Sequence, residues 1–218
     1  TKPPLSAWAI WEIYSATQDK AFIAEMYPKI QAYHDWWYKA RDNNRNGIIE
    51  YGATRHVEHN DEFGNITFKV RYGNGVPAVL DLARCTDEGD GWYGCAGMPL
   101  YQQVLSVGGY ADMDIGAQHG AGWESGMDNA ARFGFIEQDQ LKRYADKAYG
   151  GDLARARQDW NVAFFENHED DGSLIGFSID QESVELNAFL AKEKRILADM
   201  ADLLGKPDEA SRYREGAS

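Results

Sequence analysis

Residues 178–204 constrain the chain most, because they read as one long helix with an apolar face that something else must cover. Val184, Leu186, Leu190, Ile196, Leu197, Met200, Leu203 and Leu204 recur at helical intervals. Ser178 and Gln181 have the spacing of a capping box, and Gly205 with Pro207 supplies a stop. Other helical patterns are available to cover that face. Residues 5–14 carry Trp8, Trp11 and Tyr14 three apart, and residues 20–41 carry Phe22, Ile23, Met26, Ile30, Tyr33, Trp36 and Trp37. Pro28 predicts a kink or a break in the second of these. Residues 98–107, 123–133, 137–149, 152–168 and 208–214 continue the helical pattern.

The period changes between residues 42 and 74. Alternating β-branched and aromatic residues at 48–59 and 63–72, around Asn60-Asp61-Glu62, predict two strands paired as a hairpin. Residues 73–97 are rich in Gly and Asp and read as an irregular loop. A helix running into an acidic Gly turn occurs twice, at Asp42-Asn43-Asn44-Arg45-Asn46-Gly47 and at Glu169-Asp170-Asp171-Gly172. Repeated helix pairs bury each other's faces, so the expected class is mainly α, a helical toroid or solenoid with a small β-hairpin excursion. Two unrelated helix ends choosing the same turn residues would give the same echo.

At 218 residues the chain is long enough for a sizeable core. Its net charge of −13 argues against nucleic acid or an anionic membrane as partner, because phosphate would be repelled. Seven Trp and 12 Tyr make an aromatic-lined cleft available for a neutral ligand. Cys85 and Cys95 flank a Gly/Asp-rich loop; a disulfide there would suit an oxidising compartment, and two free thiols a reducing one. The chain opens on Thr1-Lys2-Pro3-Pro4, which is expected to follow trimming or excision from a longer chain.

Two stretches carry chemistry. Asp42, Asn44 and Asn46 place oxygens at positions 1, 3 and 5 of a loop, Gly47 permits the turn, Ile48 offers a carbonyl and Glu50 an acid. This is the alternation with which EF-hand-type loops hold Ca2+. Position 12 is Ala53 rather than Glu, so a remote carboxylate or water must complete the shell. The other stretch is Gly120-Ala121-Gly122-Trp123-Glu124-Ser125-Gly126-Met127-Asp128-Asn129. An indole beside two acids and an amide suits a polyhydroxylated ligand. Glu124 and Asp128 share a face if the segment is helical. The bland alternative is a glycine-rich turn in which Ser125 or Asp128 caps a helix. The five histidines show no metal or triad spacing, although His119 is a possible substrate contact.

Several motifs together resemble glycoside hydrolase family 63, inverting glucosidases with an (α/α)6 barrel. They are Ala7-Trp8-Ala9, Tyr33-His34-Asp35-Trp36-Trp37, Asn46-Gly47-Ile48-Ile49-Glu50-Tyr51-Gly52, the Trp123-Glu124-Ser125-Gly126-Met127-Asp128 segment, and Ser183-Val184-Glu185-Leu186-Asn187. The resemblance spans essentially the whole chain. It implies that residues 1–218 form part of one (α/α)6 catalytic domain, with a hairpin and loop insertion at 48–97. It makes Asp128 the general acid and Trp123, Gln181 and Asn187 substrate-binding residues; Trp8, from its aromatic stripe, and Glu124, beside the acid, are the further substrate-binding candidates. The Asp42–Glu50 loop would hold calcium. It further implies an oligosaccharide or small α-glucoside substrate and a periplasmic or secreted location. The family's base lies in a later helix, and neither Glu182 nor Glu185 matches its motif. The remainder of a parent glucosidase is therefore the expected partner, and the isolated fragment is expected to be inactive. A non-catalytic, calcium-stabilised carbohydrate-binding or scaffold fragment is the competing expectation.

Overall fold

The computed structural model describes residues 2–217. Among them are eight α-helices and seven strands in two antiparallel sheets, a mixed α/β architecture. The mainly α, (α/α)6 expectation is overturned by those sheets. Among the described residues no helix is long and apolar enough to cross a membrane. The chain divides into two units, residues 1–51 with 181–218 and residues 52–180.

The first unit is helical. It holds α1 (Ser6–Thr17), α2 (Lys20–Ala40), α7 (Val184–Leu203) and α8 (Pro207–Glu215). Asp19 caps α2 by accepting from the backbone N–H groups of Ala21 and Phe22. The helix runs through Pro28 as one element, where the sequence pattern predicts a kink or break. Ile10, Ile23, Tyr27 and Ile30 meet Ile196, Leu197, Met200 and Ala201 in one apolar core, with Trp11 and Tyr14 packed against it. Full burial of one such side chain contributes about 1.5–3 kcal/mol. This core brings the chain's beginning together with its end.

The second unit contains both sheets' hydrogen-bonded bodies. A three-stranded sheet runs in the order β1 (Glu50–Thr54), β7 (Leu174–Glu182), β6 (Phe164–His168). A four-stranded sheet runs β3 (Thr86–Gly89), β4 (Trp92–Ala96), β2 (Thr67–Arg71), β5 (Asp112–Ile115). The chain passes from one unit to the other in β1 and returns in β7. The unit's helices are α3 (Met98–Val107), α4 (Gly116–Ser125), α5 (Gln138–Tyr149) and α6 (Leu153–Gln158).

Three local readings change. The predicted hairpin over 48–72 does not form, because its two strands belong to different sheets; only an isolated bridge, Asn60 to Ile66, links the arms. The predicted helix over 152–168 stops at Gln158, and Phe164–His168 pairs antiparallel with β7. The capping-box residues Ser178 and Gln181 lie inside β7, and α7 begins after Ser183. Cross-strand pairing wins there: Phe164 lies opposite Ile179, and Asn167 donates Nδ2–H to the buried Ser178 Oγ at 2.7 Å.

Residues 73–97, read as irregular, contain the β3–β4 hairpin, and a Cys85–Cys95 disulfide with Cα atoms 4.5 Å apart closes it. A crosslink over ten residues restricts the unfolded chain by about 2–3 kcal/mol in the loop-entropy account. Replacing both cysteines with serine is therefore expected to lower the melting temperature by roughly 5–10 °C. Differential scanning calorimetry checks this, and adding reductant to the native protein should reproduce the shift.

Candidate active site

The Trp123–Asp128 stretch straddles the end of a helix. The sequence pattern predicts a helix over 123–133, but α4 ends at Ser125, and Gly126 takes the left-handed C-cap conformation at φ 75°. A 3-10 turn then covers Ala131–Phe133. Glu124 and Asp128 therefore do not share a helix face.

The two acids have different surroundings. Glu124 is buried, and its Oε1 accepts the backbone N–H of Gly52 at 2.9 Å, tying the end of α4 to β1. Deleting that acceptor would leave a buried N–H unpaired, at about 1–3 kcal/mol. Asp128 is exposed and sits at φ 42°, a left-handed backbone that non-glycine residues adopt uncommonly.

Three contacts hold Asp128 there. Its backbone N–H donates to the Gly122 carbonyl at 3.2 Å. Ser125 Oγ donates to the same carbonyl at 2.6 Å and accepts the Met127 N–H at 3.0 Å. Gly122 also lets the Asp128 backbone approach closely, since a Cβ at 122 would lie 2.3 Å from the Asp128 carbonyl oxygen. Two further glycines of α4 serve the same end. A Cβ at Gly116 would lie 1.7 Å from the Glu58 carbonyl oxygen, and one at Gly120 would lie 2.6 Å from the Ala53 side chain. Sequence reading treats these glycines as turn composition; their role is packing.

Trp123 is half-exposed at the same helix end. His119, one turn earlier, makes tilted ring contacts with Trp123 at 5.9 Å and Phe135 at 5.1 Å between centroids. Its Nε2 lies 2.9 Å from Asp114 Oδ1. That hydrogen bond holds the Asp114 carboxyl below the usual carboxylate range.

The remaining residues singled out from sequence lie in the first unit. Trp8 is half-exposed and donates its indole N–H to Glu12 at 3.0 Å. Gln181 ends β7. Asn187 accepts the Ile49 N–H with Oδ1 and donates Nδ2–H to the Ile49 and Ser183 carbonyls, each contact at 2.8–2.9 Å. Its amide therefore clamps the backbone that follows the Asp42–Glu50 loop.

In that loop, Asp42 Oδ1 and Asn44 Oδ1 both accept the Asn46 N–H, at 3.0 and 3.1 Å. Asp42 Oδ2 accepts from Gly47, and Asn46 Oδ1 accepts from Ile48. Arg45 and Gly47 take positive φ to make the turn. Glu50 is buried, while Asn44 and Asn46 are exposed. Sequence reading misses one residue here: Glu182 Oε1 accepts Asn46 Nδ2–H at 2.6 Å. A separation of 136 residues hides that pair from any local motif.

An exposed indole and imidazole beside carboxylates is a surface suited to sugars, which offer an apolar face and hydroxyl edges. The family model of the mannosylglycerate hydrolase MGH1-like glycoside hydrolase domain matches residues 1–218, and the chain belongs to that family. It is a glycoside hydrolase domain, and its substrate class is carbohydrate.

Proposed function

We propose that the domain serves an inverting α-glycosidase that hydrolyses α-glucosidic bonds, as in the family 63 glucosidases, with Asp128 as the general acid. The observation that carries this reading is the backbone at Asp128. An exposed carboxylate held in an uncommon left-handed conformation by Gly122 and Ser125, next to Trp123, has the positioning of a reacting group. Asp128 donates its proton to the departing glycosidic oxygen. A second carboxylate, supplied by the remainder of the longer glucosidase, activates water on the other face of the sugar. In inverting enzymes the two carboxyls stand about 6.5–9.5 Å apart to admit that water. Trp123 supports the sugar ring, while Glu124 holds the helix end against β1.

The test follows the first-formed product of α-glucoside hydrolysis by the complete enzyme, using proton NMR before mutarotation. β-Glucose appearing first supports inversion; α-glucose appearing first overturns it. The Cys85–Cys95 disulfide favours a periplasmic or secreted setting for this chemistry.

The Asp42–Glu50 loop belongs to the same reading as a calcium site. The donors present fit the ion, because oxygens of Asp42 and Asn44 already converge on one N–H and Asn46 stands beside a second carboxylate. Asp42, Asn44, Asn46, the Ile48 carbonyl and Glu50 are the ligands proposed from the loop, with Glu182 as the remote carboxylate. The ion's role is structural: it neutralises the acids and fixes the turn after α2. A ligand at a hundred times its dissociation constant stabilises by about 2.7 kcal/mol. A chelator is accordingly expected to lower the melting temperature by roughly 5–10 °C, and Asp42→Ala to abolish that response. An unchanged melting curve would count against the site.

A further inference from the structure

Away from the Trp123–Asp128 end of α4, the turn after β1 gathers a different set of donors. His56, Glu58 and His59 each place one ligating atom within 4.8 Å of the other two. The His56 and His59 rings are 5.5 Å apart, and His56 Nδ1 is 3.7 Å from Glu58 Oε2. The backbone that presents them is pinned. The N–H groups of His59 and Asn60 both donate to the His56 carbonyl, at 2.8 and 3.0 Å, and Asn60 Oδ1 accepts the His56 N–H at 2.9 Å. His59 is oriented independently. Its Nδ1 lies 2.7 Å from the Thr54 carbonyl oxygen, which can only accept, so that nitrogen carries the hydrogen. Imidazoles that ligate metals are commonly oriented by just such a carbonyl.

We propose that His56, Glu58 and His59 bind a divalent transition-metal cation of the zinc class, which rigidifies this turn where it packs against α4. The donor set decides the class. Two imidazoles and one carboxylate suit zinc, nickel or copper, whereas calcium and magnesium require oxygen ligands. Three protein ligands leave a coordination position for water. The turn already abuts α4, with the Glu58 carbonyl against Gly116 and the His59 ring against Gly120. A bound cation therefore restrains the segment on which the start of α4 rests. The site is separate in sequence and chemistry from the all-oxygen Asp42–Glu50 loop.

Tag-free protein, stripped with chelator and dialysed, is titrated with zinc in a calorimeter, and cobalt(II) is titrated in parallel to read its visible d–d bands. The expected result is one zinc per chain, a higher melting temperature with zinc, and no comparable binding heat from magnesium. His56→Ala and Glu58→Gln change exposed side chains, so both variants should melt like the parent without metal. Each should weaken zinc binding at least about tenfold, since loss of even an outer-sphere partner costs 10–100-fold. His59 is buried, and His59→Gln serves only as a third comparison. Zinc binding absent at micromolar concentrations, or binding that survives unchanged in His56→Ala and Glu58→Gln, overturns the proposal.

Discussion

Asp128→Asn is expected to lower α-glucoside hydrolysis by roughly 10²–10⁴-fold while leaving substrate affinity nearly unchanged. The amide keeps the shape and polarity of the carboxyl but has no acidic proton to give the departing oxygen. The backbone should tolerate the change, because Asn enters the left-handed region as readily as Asp does. The result therefore reports on proton donation rather than on folding. Two measurements check it: kcat with an unactivated glucoside, and sugar binding by tryptophan fluorescence. A substrate with a very acidic leaving group needs less protonation, so it should recover much of the lost rate. Full turnover of the unactivated substrate by the variant would remove Asp128 from its role.

Gly122→Ala is expected to be nearly as damaging without touching a reacting atom. The added methyl would stand 2.3 Å from the Asp128 carbonyl oxygen, so the 126–128 turn must shift by about 1 Å to reach ordinary contact. That shift breaks the Asp128 N–H hydrogen bond to the Gly122 carbonyl and disturbs the Ser125 bridge to Met127. A displacement of this size at a catalytic group costs about 10²-fold in rate. A kcat loss with a small change in KM, and a melting temperature lowered by only a few degrees, would match that account. Unchanged kcat would show that the close approach does not position Asp128.

The helices of the first unit were legible because their cause is local. The three-residue aromatic spacing of Trp8, Trp11 and Tyr14 and the Gly205–Pro207 stop both act within a turn or two of chain. The sheets were not legible for the converse reason. β1 pairs with a strand over a hundred residues away, and the strand at Asp112–Ile115 alternates over four residues only, too few to announce itself. Ser178 shows the conflict most plainly. Its spacing to Gln181 is good cap chemistry, but a buried hydroxyl that lies opposite Phe165 and accepts from the Asn167 amide is better satisfied in a strand.

The candidate site divides in the same way. Trp123, Glu124 and Asp128 stand out by composition, but their separate surroundings depend on Gly126 ending the helix between them. Glu182 and the His56–Glu58–His59 cluster became visible only once the backbone brought them to their partners.

The two-part layout of the first unit also sets an order of events during synthesis. Its core joins residues 7–30 to residues 196–210, so the early helices leave the ribosome long before the surfaces that cover them exist. Residues 52–180 are contiguous and complete first. Domains generally fold as units while the chain emerges. The nascent protein therefore passes through an interval in which its second unit is ready and its first shows Ile23, Tyr27 and Ile30 to solvent. That interval is when a holding chaperone has most to protect.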